Sequence, residues 1–215
     1  MTINEIKELL SHEPTAELIA ELAQDKRVAV QKLLQSYHKR IEKAALEKER
    51  FYKMLSYERQ YYGEGAKLIA GVDEAGRGPL AGPLVIAAVI LPEDVFISGL
   101  NDSKQISASK RAKLYDEVLQ KAISVSVNIV SISNIDELNI YRATQVGMSE
   151  VLLSLDVRPD VALIDAMPVE AEDIKTVSLV HGDALSASIA AASIVAKVTR
   201  DRIMEKLAIY LVIPS

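Results

Sequence analysis

KLIAGVDEAGRGPLAGPLVIAAVIL, residues 67–91, decides the reading of this chain: an apolar strand runs into a glycine-rich turn and a second apolar strand leaves it. The first strand delivers two adjacent carboxylates, Asp73 and Glu74, into a loop with glycines at 76, 78 and 82. Glycine permits positive φ and close approach of the backbone to a ligand, and loop amides together with Arg77 suit a phosphate or a sugar hydroxyl. Neighbours on a regular strand face opposite ways. Asp73 and Glu74 therefore reach one site only if the strand end bends, and Ala75-Gly76 is where that bend is expected.

Downstream, helix and strand patterns alternate. Ser107 to Ala122 reads as a helix starting at a serine cap, and ISVSVNIVSI (123–132) alternates as a half-buried strand does. Ser133 and Asp136 resemble a capping pair for one helix continuing to about Leu155. DVALIDA (160–166) reads as a buried strand, TVSLV (176–180) as a fifth strand, and Ala184 to about Leu207 as a long Ala-rich helix. The pattern implies an α/β fold with a mixed sheet and helices on its faces.

Upstream, residues 1–66 read as helices. Ile3, Ile6, Leu9 and Leu10 recur at helical spacing, a short helix follows Pro14 to about Ala23, and a long polar helix carries the stripe Val28, Leu33, Leu34, Tyr37, Ile41, Ala44, Phe51 and Leu55. The expected division is an N-terminal helical extension at 1–66 and a catalytic domain at 67–215. The extension reads as an appendage or oligomerisation surface. Its basic residues Lys39, Arg40, Lys43, Lys48, Arg50 and Lys53, interleaved with Tyr37 and Phe51, leave a substrate-gripping arm as the other reading.

The net charge is −5, but residues 1–66 carry 11 basic and 11 acidic residues, so the whole excess lies after them. That argues weakly against generic DNA binding and not at all against a protein whose clustered carboxylates hold divalent cations. There is no cysteine, which excludes disulfides and thiolate metal sites. No apolar run approaches the roughly 18 residues of a membrane span, and MTINEIKELL lacks a basic n-region. A cytoplasmic protein without membrane partners, acting as a monomer, is expected.

Two further aspartates fit the chemistry of the first pair. Asp165 ends the apolar strand VALID, where ligands commonly sit in α/β sheets; a strand-end turn residue is the equally plain alternative. Asp183 precedes the Ala-rich helix, and on its own an N-cap is the favoured reading. Four carboxylates from three strand ends form a hard-oxygen set that suits Mg²⁺ or Mn²⁺ better than Zn²⁺. Two such ions about 4 Å apart activate water and stabilise a leaving oxygen in phosphodiester hydrolysis. His181 reads as a loop residue.

GVDEAGRGPLAGP at 71–83, LNDSK at 100–104, LID at 163–165, and GD at 182–183 followed by SIAAASIVAKVTRDRIMEKL at 188–207 resemble, in order, the signature blocks of the bacterial ribonuclease HII family. The resemblance spans about residues 67–207. It implies an RNase H-like fold, with Asp73, Glu74, Asp165 and Asp183 as the catalytic, metal-binding set and Mn²⁺ or Mg²⁺ as cofactor. It also implies that Gly76, Arg77 and Gly78 read a 2′-hydroxyl at an RNA–DNA junction. The implied substrates are RNA:DNA hybrids and duplex DNA containing ribonucleotides, cut 5′ to the ribonucleotide to leave a 3′-hydroxyl and a 5′-phosphate. Only RNA offers a 2′-hydroxyl, so a backbone loop that bonds it distinguishes one ribonucleotide from its neighbours. Asn101, Lys104 and Lys197 are expected to assist at phosphates, although a solvated face is nearly as good a reading for Lys197 and Arg200. Asp102 is expected to form an Asx-type turn and Asp201 an ion pair.

After RDRIMEKL the sequence reads AIYLVIPS, whereas the resemblance implies a longer polar continuation containing an HKGY-like segment. A C-terminally incomplete catalytic domain with reduced or absent turnover is the corresponding expectation. A hybrid-binding remnant and an interaction protein acting through the N-terminal helices stand as the alternatives.

Overall fold

A computed structural model of the chain describes residues 1–78 and 81–212. Pro79 and Leu80 of the glycine loop, and the final Ile213, Pro214 and Ser215 of the AIYLVIPS segment, lie outside the described residues. The chain divides into two compact units, Met1–Arg50 and Phe51–Ser215.

The first unit holds α1 (Ile3–Leu9), α2 (Ala16–Ala23) and most of α3 (Val28–Met54). Thr2 and Glu5 close a capping box on α1, and Thr15 accepts the Leu18 amide to cap α2. Ile6, Leu10, Leu22, Val30 and Leu34 bury a small core of their own. Of the stripe expected along the long helix, Ile41 is 49 % exposed, whereas Phe51 and Leu55 are buried in the second unit. The boundary between the units therefore falls inside α3, ahead of the change in sequence texture at Lys67.

The second unit is built on a five-stranded sheet of order β3-β2-β1-β4-β5. The strands are β1 (Ile69–Ala75), β2 (Leu84–Ile90), β3 (Ser124–Val130), β4 (Val161–Asp165) and β5 (Lys175–Leu179). β1 pairs antiparallel with β2 and parallel with β4, so the sheet is mixed, as the alternation implied. Parity along β2 shows the two layers: Val85, Ala87 and Val89 enter one core, and Leu84, Ile86, Ala88 and Ile90 the other. Burial on both faces explains why β2 reads as one continuous apolar run.

α9 (Ala187–Val212) covers the first face together with α5 (Ala108–Lys121) and α4 (Ser56–Gly63). Ile189, Ile194 and Val195 are fully buried, each contributing about 1.5–3 kcal/mol. α9 crosses β1 at Gly71, where an added Cβ would lie 2.0 Å from the Ser188 carbonyl carbon. Only a glycine admits that approach.

Two expected helices are corrected. The segment after β3 is not one helix capped by Ser133 and Asp136. Ser131 caps α6 (Ile132–Leu138) by accepting the Asn134 amide; Asn139, at φ 63°, then breaks the chain direction and caps α7 (Ile140–Leu153) by accepting the Arg142 amide. Asparagine tolerates positive φ and supplies the capping oxygen, so a single residue ends one helix and starts the next. The Ala-rich helix is also divided: a single turn, α8 (Gly182–Leu185), precedes α9. Left-handed His181, not Asp183, occupies the cap position of α8, and Ser186 caps α9 by accepting the Ile189 amide.

Candidate active site

Strand geometry brings the first pair of distant acids together. Residues 69, 71 and 73 of β1 and 161, 163 and 165 of β4 share the α9 face, and the parallel register ends at Val72 and Ile164. Asp73 and Asp165 therefore stand side by side one position further on, at the C-terminal edge of adjacent parallel strands, where α/β sheets place their ligands. Glu74 follows at the strand end. Asp183 arrives on α8, directly after β5. The Gly182 amide donates to Asp165 Oδ1 at 2.7 Å, tying that turn to the end of β4.

Asp73 is 6 % exposed, with its Oδ1 accepting the Glu74 amide at 2.7 Å. Ser193 on α9 hydrogen-bonds its carboxylate and also reaches Ser103 Oγ at 2.9 Å. Burial, then repulsion from Glu74 and Asp165, pushes the Asp73 carboxyl well above the ordinary range. Glu74 is raised by burial and by Asp165, against the opposing pull of Arg77 and Lys104. Asp183 is pushed up to about 6 by partial burial and by Asp102 and Asp165. Three acids each feel Asp165.

A cavity of about 480 Å³ opens beside them, lined among others by Asp73, Glu74, Arg77, Lys104, Ser193 and Lys197. Asp73 and Glu74 thus border one space, as the expected bend requires. Asp165 and Asp183 do not line it, and among the described residues no three Asp, Glu or His side chains are grouped closely enough to hold an ion as they stand. Like charges without a counter-ion rest apart. The cluster nevertheless fits a divalent cation: it is an all-oxygen set, and Glu74 Oε2 is buried with no hydrogen-bond partner. An isolated buried carboxylate oxygen is costly without a cation or donor.

The glycine loop is held from α9. Gly76 adopts φ 112°, and a Cβ there would meet Arg200 Nε at 2.5 Å and the Pro83 carbonyl oxygen at 2.6 Å. Arg200, 7 % exposed, donates from Nε to Pro83 O at 3.1 Å and from Nη2 to Ala81 O at 2.8 Å. A solvated face is excluded for it. Arg77 lies 3.8 Å from Glu74 and 5.9 Å from the Tyr141 ring centre; Gly78 borders the cavity with open space around its Cα. Asn101 Oδ1 accepts the Asp102 amide, and Asp102 Oδ1 the Lys104 amide, giving the expected Asx turn. Lys197 pairs with Asp201, which also meets Arg111. Ser193, Lys197 and Arg200 fall at i, i+4 and i+7 on one stripe of α9, whose first half is otherwise mostly apolar. That periodicity was the signal from which Ser193 and Arg200 were readable.

A family model described as Ribonuclease HII matches residues 70–211, and one described as Ribonuclease HII N-terminal domain matches residues 2–62. The chain belongs to the ribonuclease HII family. It is 49 % identical over 205 residues to the ribonuclease HII of Ligilactobacillus salivarius, across 95 % of this chain and 80 % of that protein. The solved ribonuclease H2 of Pyrococcus horikoshii aligns with TM-score 0.59 and 32 % identity over 65 % of this chain and 75 % of that one. Bst-RNase HIII in complex with Mn²⁺ shares the fold, with TM-score 0.53 over 66 % of this chain and 54 % of that one at 18 % identity. The ribonuclease HII fold, an RNase H-like mixed sheet with helices on its faces, is therefore the one that the signature blocks implied.

Two outcomes follow for this ribonuclease HII chain. Arg200→Ala is expected to leave two loop carbonyls without their donor and to lower kcat/KM for nicking about 10–100-fold, the cost of misplacing a positioning loop. Lysine, lacking the planar fork, should not restore it; wild-type steady-state kinetics for either variant would refute the clamp. The second concerns pH. The folded carboxyl values are raised, so the metal-free folded chain holds more protons than the unfolded chain between 3.8 and about 6 at Asp183. Stability from this cluster therefore falls as pH rises through that window. Relative to Asp165→Asn, the metal-free wild type should gain about 2–4 °C in Tm between pH 7 and pH 5. A constant difference in Tm across that range would mean the acids do not interact.

Proposed function

We propose that this chain is a metal-dependent endoribonuclease that hydrolyses the RNA strand of RNA:DNA hybrids and nicks duplex DNA 5′ to embedded ribonucleotides. The supporting observation is the mutual repulsion centred on Asp165, next to a buried, unpartnered Glu74 oxygen and a glycine loop on the same cavity. Asp73, Glu74, Asp165 and Asp183 are the residues that would hold Mn²⁺ or Mg²⁺, which when bound supplies Lewis acidity for phosphodiester hydrolysis.

The chain's own groups do the rest. Ser193 orients the Asp73 carboxylate. The backbone at Gly76 and Gly78, with Arg77 between them, receives the 2′-hydroxyl and the adjoining phosphate, so selectivity for ribose comes from a hydroxyl that deoxyribose lacks. Lys104 lowers the charge of the acidic cluster toward Glu74 and Asp183 and meets the phosphate backbone. Asn101 shapes the turn that presents Lys104, and Lys197 adds a further cation on the cavity wall. The proposal places the protein in the cytoplasm as a monomer. A cysteine-free chain fits a reducing compartment, and among the described residues no helix is long and apolar enough to cross a membrane.

The test is a nicking assay with Mn²⁺ on a DNA duplex carrying one ribonucleotide. A single cut on its 5′ side, giving 3′-hydroxyl and 5′-phosphate ends, is expected, with the all-DNA duplex left intact. Equal cutting of both duplexes, or of neither, overturns the proposal.

A further inference from the structure

The carboxylate that the site does not use is Glu58, on α4 and outside the signature blocks. It is 1 % exposed. Its Oε1 accepts from Ser186 Oγ at 2.6 Å and from the Ser188 amide at 2.9 Å, while Oε2 is buried without a partner. Burial pushes its carboxyl above the ordinary range, against the hydrogen bonds from Ser186 and Ser188.

What Glu58 grips leads to the acids. Ser186 Oγ accepts the Ile189 amide, and the Ser186 amide donates to the Gly182 carbonyl at 2.8 Å. Gly182 in turn donates its own amide to Asp165 Oδ1 at 2.7 Å. Asp183 sits within that turn. Ser188, the other group held by Glu58, is the residue whose backbone lies against Gly71 two positions before Asp73. One buried carboxylate thus fixes the junction between α8 and α9 from which Asp165 is oriented and Asp183 presented.

We infer that Glu58 is a positioning residue of the catalytic centre, through which a helix preceding the catalytic strands sets the placement of Asp165 and Asp183. The inference rests on the proposed metal-binding role of those aspartates. Groups that orient metal ligands typically govern affinity by about 10–100-fold when removed. Such a contiguous hydrogen-bonded path carries coupling only if altering one end changes the other.

The experiment measures Mn²⁺ binding to the full chain by calorimetry without nucleic acid, and kcat and KM for nicking, on five variants. Glu58→Leu is expected to weaken Mn²⁺ binding about 10–100-fold and to lower kcat, with KM within about 3-fold because the glycine loop is held separately by Arg200. Glu58→Gln keeps an acceptor at Oε1 and is expected within about 3-fold of wild type. Ser186→Ala, which removes one donor, should fall between them. Leu152→Ala, a core truncation on the opposite face of the sheet, lowers Tm but should keep Mn²⁺ affinity below its melting range. Wild-type affinity in Glu58→Leu and Ser186→Ala overturns the inference, as does an equal loss in Leu152→Ala. If Glu58→Leu does not fold, Ser186→Ala decides alone: a loss of Mn²⁺ affinity there supports the inference and wild-type affinity overturns it. Asp165→Asn separates the two levels: unchanged Mn²⁺ binding there sinks the metal-site reading itself, not only the role of Glu58.

Discussion

Asp73→Asn is expected to lower the rate of nicking at a single embedded ribonucleotide by at least about 10³-fold, equivalent to about 4 kcal/mol of lost transition-state stabilisation. Asparagine keeps the shape and can still occupy the space beside Ser193, so the fold should survive. What it removes is a negative charge that is 6 % exposed, stands beside Asp165 and, among the described residues, forms no ion pair with a basic side chain. A neutral amide is a poor ligand for a hard cation, and the loss falls on the step in which charge builds on the phosphate. Metal-free stability should move the other way, because repulsion against Glu74 and Asp165 disappears. A variant that is both slower and more stable is the signature of a site built at the cost of stability. Nicking within 10-fold of wild type at saturating Mn²⁺ would remove Asp73 from the catalytic set.

Gly71→Ala is expected to produce the largest loss of stability of any single-methyl change in the sheet. The new Cβ would stand 2.0 Å from Ser188 C and 2.1 Å from Ile189 N, both backbone atoms that cannot rotate aside. Relief requires β1 and α9 to separate, and overpacking of this kind costs about 3 kcal/mol. That should lower Tm by roughly 6–12 °C in a chain of this size. Separation would also draw Ser193 from Asp73, so activity should fall even below the melting range. Ala88, already buried at 0 % on the neighbouring strand, shows that a methyl group as such is acceptable in this sheet. A Tm within 2 °C of wild type would show that the helix is free to shift.

Much of the fold was legible because burial and periodicity agreed. β2 read as a continuous apolar strand and is buried on both faces, and the half-exposed alternation of β3 matches its position at the sheet edge. The segment 133–155 misled because its apolar residues keep helical spacing through Asn139, and the break depends on one backbone angle that composition does not announce. For Asp183 the favoured capping reading failed for a related reason: the left-handed His181 moved the helix start upstream. The acids themselves were visible as residues at strand ends, but their mutual repulsion was not, because it depends on the parallel pairing of β1 with β4. Arg200 was undervalued because a basic residue on a late helix usually faces water, whereas here it is enclosed by a loop more than a hundred residues earlier in the chain.

That same pairing of β1 with β4 sets a timetable. Asp73 is synthesised about half a chain length before Asp183, and between them lie the hairpin partner β2 and three helices. Local hairpin contacts form quickly, whereas closing so long an interval is slow. If the four acids hold a cation as proposed, its uptake would clock the last long-range closure: a nascent or partly refolded molecule lacks the full set, and the ion would arrive as a seal on a finished sheet rather than a seed for it. Stopped-flow refolding followed at once by intrinsic tyrosine fluorescence and by a Mn²⁺ indicator should show the second signal trailing the first.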